Sequence, residues 1–116
     1  WFRLAAEQGD REAQYKLGVR YVLGQGVPQS DVEAVKWFQV AAAHGYSNAQ
    51  YDLGAAYANG EGVPQDTVLA YMWFNLASAS GDKDAKEAKE TISGRMTREQ
   101  IAEAQKLSRE WKPKGQ

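Results

Sequence analysis

Apolar side chains recur at steps of three and four along most of the chain, which is the spacing of one face of an α-helix. A narrow stripe joins Ala13, Leu17 and Tyr21, and the same three residue types recur about 36 positions later. A broader stripe is also present twice: Ala34, Trp37, Phe38 and Ala41, then Ala70, Trp73, Phe74 and Ala77. The pattern predicts two repeated pairs of amphipathic helices, with both tryptophans in the core.

A glycine-rich turn separates the two predicted helices of each pair. It reads Gly-Gln-Gly-Val-Pro at residues 24–28 and Gly-Glu-Gly-Val-Pro at residues 60–64. Glycine permits the positive φ that ends a helix, and proline prevents the following residues from starting one at once. Gly18 and Gly54 each follow a core leucine, where a missing Cβ lets the partner helix approach closely. The sequence therefore predicts stacked antiparallel hairpins of helices.

Polar side chains that can cap backbone N–H groups mark the predicted helix starts. Three pairs have the spacing of a capping box: Ser30 with Glu33, Ser47 with Gln50, and Thr97 with Gln100. Two further helices are predicted to begin after Asp66 and Asp82.

The repetition ends after Gly81, and the tail follows a different pattern. We expect one helix to end at about residues 91–93, and a last helix to present Ile101, Ala104, Leu107 and Trp111 on its apolar face. Its polar outer face suits the end of a stacked array, whose final edge meets water. The predicted divisions are the second helix of a truncated preceding unit at 1–12, complete units at 13–48 and 49–84, and capping helices at 85–116.

The composition excludes several classes of function without changing the predicted fold. Fourteen basic and fifteen acidic residues give a formal charge of -1, too little positive charge to favour a nucleic-acid partner. No apolar run approaches the roughly 20 residues of a membrane-spanning helix, so we expect no membrane insertion. The chain has no cysteine, and hence neither disulfides nor thiolate metal ligands. The compartment stays unknown, either cytoplasmic or periplasmic and secreted.

Two features resemble chemical sites, but the sequence favours structural explanations for both. The Gly-x-Gly loops follow a helix and lack the lysine of a phosphate-binding loop, so they are predicted to be turns. His44 is the only histidine, and the sequence identifies no carboxylate, nucleophile or further metal ligand to act with it. We expect no catalytic residue, no metal site and no cofactor.

The repeated residues resemble those of Sel-1-like repeats. The shared pattern is Ala-x-x-x-Leu-Gly-x-x-Tyr-x-x-Gly-x-Gly-Val-Pro, then Ala-x-x-Trp and an Ala-Ala-x-x-Gly ending, over about three quarters of the chain. Residues 96–105 also resemble the closing helix that follows such arrays in many bacterial members. The resemblance implies a bacterial source, an all-α right-handed superhelical solenoid related to tetratricopeptide repeats, and a role as an adaptor or scaffold that binds proteins.

In the related superhelices, the first helix of each unit lines a concave wall. The resemblance therefore implies ten contacts for a partner protein or peptide: Glu12, Tyr15, Val19, Val22, Leu23, Asn48, Tyr51, Ala55, Ala58 and Asn59. Tyr15 and Tyr51 recur on successive walls, and tyrosine offers a large contact area for little lost rotamer freedom. The alternative is that both tyrosines only cover the seam between helices and shape the superhelix.

Two other functions stay open at the level of the sequence. Some cysteine-rich relatives are described as penicillin-binding or β-lactamase-like proteins, although this chain lacks their cysteines. The other alternative is a purely structural role at the end of a larger envelope or secretion scaffold. Trp1, Phe2 and Leu4 belong to an incomplete unit, so we expect end-to-end self-association through this apolar edge.

Overall fold

Six α-helices form the part of the chain that the computed structural model describes, residues 10–113. They are α1 (Arg11–Leu23), α2 (Asp31–Ala43), α3 (Ser47–Asn59), α4 (Thr67–Ala79), α5 (Lys83–Ser93) and α6 (Arg98–Glu110). Every regular element in this range is helical, which confirms the all-α prediction. Trp1, Phe2 and Leu4 lie outside the described residues, so the expected self-association stays a prediction.

Helices that are neighbours in sequence pack against each other from α1 to α5. The connections between them are short, so successive helices run antiparallel. The result is an elongated stack of 44 × 30 × 22 Å, which is the predicted solenoid. The last helix departs from this order, because α6 packs mainly against α4.

The caps explain why most helices begin where they do. Asp10 accepts hydrogen bonds from the backbone N–H groups of Glu12 and Ala13, at 3.0 and 3.1 Å. The predicted N-caps Ser30, Asp66 and Asp82 each accept one backbone N–H in the first turn of α2, α4 and α5. Thr97 and Gln100 form the complete predicted capping box of α6, with both reciprocal hydrogen bonds present. At the other end, Gly24 and Gly60 close α1 and α3 with a φ of 69°.

One predicted cap is wrong. Ser47 is the first helical residue of α3 rather than its cap, and the capping residue Tyr46 makes no side-chain cap hydrogen bond. The reason is the tight turn after α2, in which the backbone N–H of Tyr46 already donates to the carbonyl of Ala41 at 3.1 Å. The side chain of Gln50 points into the interior instead, and its amide donates to the carbonyl of Ala42 at 3.2 Å. Gln50 thus joins the start of α3 to the end of α2.

The two predicted packing glycines are confirmed by their surroundings. A Cβ on Gly18 would lie 2.7 Å from the ring of Phe38 and 3.2 Å from the carbonyl oxygen of Ala34. A Cβ on Gly54 would meet Phe74 and Ala70 at the same two distances. Glycine therefore lets the first helix of each pair lie directly against an aromatic ring of the second.

The phenylalanines of the second helices are more deeply buried than the tryptophans beside them. Phe38 and Phe74 are 5% and 4% exposed, whereas Trp37 and Trp73 are only partly buried. Both tryptophans pack against the core as predicted, but at its edge, because position 37 is turned about 100° from position 38. Trp73 is covered in part by Trp111, whose ring lies edge-on with the centroids 6.1 Å apart.

The predicted helices of the tail are present and close the second half of the core. Ala104 of α6 is completely buried, and Ile92 of α5 is 4% exposed. Both belong to a cluster with Tyr71 and Phe74 of α4. Since α5 and α6 both cover α4, the stack ends in two helices that do not repeat the geometry of the units before them.

Candidate functional site

A groove of about 380 Å³ opens where the first pair of helices meets α3. The helices α1, α2 and α3 all contribute side chains to it, and Glu61 comes from the loop after α3. Buried Ala34, Val35 and Phe38 form part of its apolar lining. The groove is therefore built by two successive units together and by neither one alone.

The loop after α3 packs closely against the start of α2. A Cβ on Gly62 would lie only 2.5 Å from the carbonyl oxygen of Asp31 and 2.9 Å from Val35. No side chain fits there, so glycine allows the second unit to approach the first at the groove.

The structure brings half of the predicted contact residues together. Five of the ten line the groove: Tyr15, Val19, Val22, Leu23 and Ala55. The other five are not part of its lining: Glu12, Asn48, Tyr51, Ala58 and Asn59. A partner contact by any of the ten stays a prediction.

The five residues outside the groove have varied surroundings. Glu12 is exposed and lies 3.6 Å from the ammonium group of Lys16. Asn48 and Asn59 are exposed at the two ends of α3. Tyr51 and Ala58 pack against the cluster formed by α4, α5 and α6.

Tyr15 both covers a helix seam and lines the groove. Its ring lies 5.6 Å from that of Phe38 on α2 and 5.3 Å from that of Tyr46 before α3, measured between centroids. The ring thus joins three helices, while the residue is only partly buried and forms part of the groove lining. The two interpretations of this tyrosine are therefore compatible.

The Tyr15 hydroxyl donates a hydrogen bond to the carboxylate of Asp52 on α3. Burial raises the pKa of the Asp52 carboxyl above its ordinary value, the Tyr15 hydroxyl opposes that rise, and the negative charge of Asp82 adds to it. Burial also raises the pKa of the Tyr15 hydroxyl, and the charge of Asp52 raises it further. The surroundings of Asp52 thus disfavour the charged form of its carboxyl.

Three carboxylates of the groove were not predicted from the sequence: Asp31, Asp52 and Glu61. Comparison of the units carries one signal for Asp52, because the equivalent position of the first unit holds the oppositely charged Lys16. Such a charge reversal between repeated positions marks a residue that the repeat itself does not require. Asp31 and Glu61 lie beside predicted turns and carry no comparable signal.

Larger side chains stand at the positions that match the groove one repeat length further along the chain. Buried Tyr71 of the second unit is equivalent to Val35, and buried Ile92 of the first capping helix is equivalent to Ala56. Ala88 of the same capping helix is equivalent to Asp52, so the matching carboxylate is absent there. The two walls are therefore chemically different, although the repeat predicted two similar ones.

The remaining chemistry of the described residues is limited. Between residues 10 and 113 there is no group of three or more His, Cys, Asp and Glu side chains placed to hold a metal ion. His44 ends α2, and its backbone carbonyl accepts a hydrogen bond from the guanidinium of Arg11 at 2.9 Å. In the same range, the helices are too short or too polar to span a membrane.

Solved structures show two close relatives of this chain. A protective antigen present in uropathogenic Escherichia coli strains, which displays an SLR fold, is 36% identical over 96% of this chain, with a TM-score of 0.91. A Sel1 repeat protein from Oxalobacter formigenes is 41% identical over 78% of this chain, with a TM-score of 0.77. The chain spans 24% of the antigen and 68% of the Oxalobacter protein. A comparison with curated proteins gave no match.

The family model of the Sel1 repeat matches three successive segments, residues 1–10, 11–46 and 47–82. The second and third matches begin at Arg11 and Ser47, the first residues of α1 and α3, two residues before the units expected at 13–48 and 49–84. The matched segments cover more than half of the chain, and both solved relatives share its fold. The chain therefore belongs to the Sel1 repeat family.

Proposed function

We propose that this chain is a non-catalytic interaction scaffold that binds a partner protein or peptide in the groove between its first two units. Sel1 repeats are generally non-enzymatic modules for protein interactions, which supports the class of function. The groove, with its apolar lining and open rim, is the feature that supports the position of the site.

The observation that carries the proposal is the exposure of aliphatic side chains at one place. Val22 and Leu23 line the groove and are 37% and 59% exposed. The third exposed large hydrophobic side chain among the described residues is Val32, which is 65% exposed and is not part of the groove lining. Val22 and Leu23 are consecutive residues at the end of α1, and exposed apolar surface that is grouped in this way is typical of interaction sites.

Only the first half of the predicted concave wall is part of the proposed binding site. Tyr15, Val19 and Ala55 add contact surface within the groove, whereas Tyr51 and Ala58 are not part of its lining. We therefore place the partner along the first unit and the start of the second.

A pull-down from lysate of the source bacterium tests this position. The bait is the chain itself, compared with a Val22→Ser/Leu23→Ser variant whose two changes lie at exposed positions and spare the core. We expect the variant to lose the proteins that the wild-type chain captures. The variant's circular dichroism spectrum and melting curve report whether it stays folded.

Val32→Ser is the matched control, since Val32 is an exposed valine that is not part of the groove lining. It should retain every protein captured by the wild-type chain. Equal capture by all three baits would show that the groove is not the binding site.

A further inference from the structure

The groove has a mixed chemical character that restricts the partner it can accept. Its rim offers the aliphatic side chains of Val19, Val22 and Leu23. The same lining includes three carboxylates: Asp31, Asp52 and Glu61. None of the described residues that line the groove is a lysine, an arginine or a histidine. A ligand that enters this space meets apolar surface and negative charge together.

Asp52 is the carboxylate that has most to gain from a ligand. It is partly buried on α3, and the Tyr15 hydroxyl that donates to it is a neutral group. The other charge that acts on it is that of Asp82, which is also negative. A partly buried carboxylate is stabilised when an opposite charge comes within contact distance, because the low local dielectric strengthens their attraction.

The basic side chains of α1 do not supply this opposite charge within the groove. Lys16 and Arg20 are not part of the groove lining, and the Lys16 ammonium lies 3.6 Å from the carboxylate of Glu12. An acidic ligand would meet three like charges in the groove, which costs affinity.

We propose that the groove binds a partner segment in which an arginine or lysine is flanked by aliphatic side chains. The cationic group meets Asp52, and the aliphatic neighbours pack on Val22 and Leu23. This inference rests on the proposed function and adds the chemistry of the partner to it. The juxtaposition of charge and exposed apolar surface is particular to the groove between the first two units, because one repeat length further along the chain Ala88 stands at the position of Asp52 and Asn59 at that of Leu23.

Selection from a random library of 12-residue peptides displayed on phage tests the proposal without knowledge of the natural partner. The complete 116-residue chain is immobilised, and bound phage are eluted and sequenced. We expect enrichment of peptides that carry one arginine or lysine next to leucine, isoleucine or valine. Peptides that also bind the Val22→Ser/Leu23→Ser variant are discarded, so that the remaining set reports on the groove.

The most enriched sequence is then synthesised with a fluorescent label, and its affinity is measured by fluorescence anisotropy. Asp52→Asn keeps the size of the side chain and an oxygen that accepts from Tyr15, but removes the charge. We expect it to weaken binding about tenfold, with a smaller dependence on salt concentration. Glu103→Gln removes an exposed carboxylate of α6, far from the groove in the fold, and should leave the affinity unchanged.

The outcomes separate this inference from the function on which it rests. Enrichment of uncharged or acidic peptides that need Val22 and Leu23 would overturn the cationic partner and leave the groove as a binding site. An enriched basic peptide that binds Asp52→Asn and the wild-type chain equally well would also overturn it. If no peptide depends on Val22 and Leu23, the selection contradicts both the inference and the proposed binding site.

Discussion

The surroundings of Asp52 disfavour the charged form of its carboxyl, so we expect ionisation of this group to lower the stability of the free protein. Burial and the charge of Asp82 raise the pKa of its carboxyl, and the Tyr15 hydroxyl offsets only part of that effect. Residues of this kind are common at sites where binding, and not folding, determines the side chain. This unfavourable environment supports the role proposed above for Asp52 in binding a cationic partner segment.

We predict that Asp52→Asn raises the melting temperature at pH 7. A carboxyl whose pKa is raised by folding favours the folded state while it is protonated, and this contribution is lost as the pH rises through the folded pKa. The advantage of the asparagine variant should therefore shrink on acidification and vanish below about pH 3.8, the ordinary pKa of the group. Thermal melts by circular dichroism from pH 3 to 8 measure it.

Glu103→Gln is the control for these melts, because Glu103 is exposed on α6. Its effect on stability should stay within about 0.5 kcal/mol at each pH. An Asp52→Asn variant that melts at or below the wild-type temperature at pH 7 would contradict the destabilising role of the charge.

The pair α1 and α2 owes its close packing to one absent side chain. Gly18 costs the helix about 1 kcal/mol relative to alanine, since it adds backbone freedom to the unfolded chain. The cost is accepted because Phe38 occupies the space in which a Cβ would lie. Helix propensity and helix packing thus oppose each other at this position, and packing prevails.

We predict that Gly18→Ala lowers the free energy of unfolding by about 1–3 kcal/mol, because the added methyl must displace the buried ring of Phe38. The opposite sign is expected for Gly94→Ala at the end of α5. Gly94 already has a helical φ of -66°, and its nearest neighbour would lie 3.5 Å from a Cβ. That substitution should add about 0.4–1 kcal/mol.

Urea denaturation followed by circular dichroism measures both changes. If Gly18→Ala destabilises the protein while Gly94→Ala stabilises it, the loss at Gly18 is caused by the close contact with Phe38 and not by helix propensity. A gain of stability in both variants would show that α1 and α2 can move apart at no cost.

The elements were largely predictable from the sequence because their signals are local. The spacing of alanine, leucine and aromatic residues predicts the helices, and Asp66, Asp82 and Thr97 mark three of their starts. The error at Ser47 has a tertiary cause, since α3 begins at Ser47 itself and the amide of Gln50 bonds to the carbonyl of Ala42 at the end of α2. The lesser burial of Trp37 could not be predicted, because adjacent apolar residues do not reveal which one faces the core most directly.

The groove was only half predictable, for a different reason. A repeat in the sequence predicts equivalent walls, so Tyr15 and Tyr51 appeared to have equal roles. The structure makes them unequal through large side chains at a few variable positions, such as Tyr71 and Ile92. The carboxylates come together across two units, and no local pattern carries that information.

At the scale of the whole molecule, the stack depends on how its last apolar face is covered. α6 packs on α4, where Ala104 is completely buried and the amide of Gln105 donates to the hydroxyl of Tyr71 at 3.4 Å. A stacked array of this kind is stabilised through neighbour contacts, so the loss of a terminal helix exposes the apolar surface beneath it.

We predict that Ala104→Glu detaches α6 and lowers the free energy of unfolding by more than about 2 kcal/mol, because it forces a charge into a buried position. Hydrogen exchange should then become fast for the amides of α6 while those of α1 and α2 stay protected. Ala102→Glu places the same side chain on the exposed face of the same helix. It should change stability by less than about 0.5 kcal/mol, and equal effects of the two variants would contradict the covering role of α6.

The close contact of Gly62 with Asp31 means that the groove exists only while the two units are in register. A ligand bound in the groove would contact both units at once, so the units could separate only after the ligand dissociates. Separation of the two units would therefore divide the proposed site and release the ligand. By the same linkage, an occupied groove stiffens the solenoid against bending at this joint.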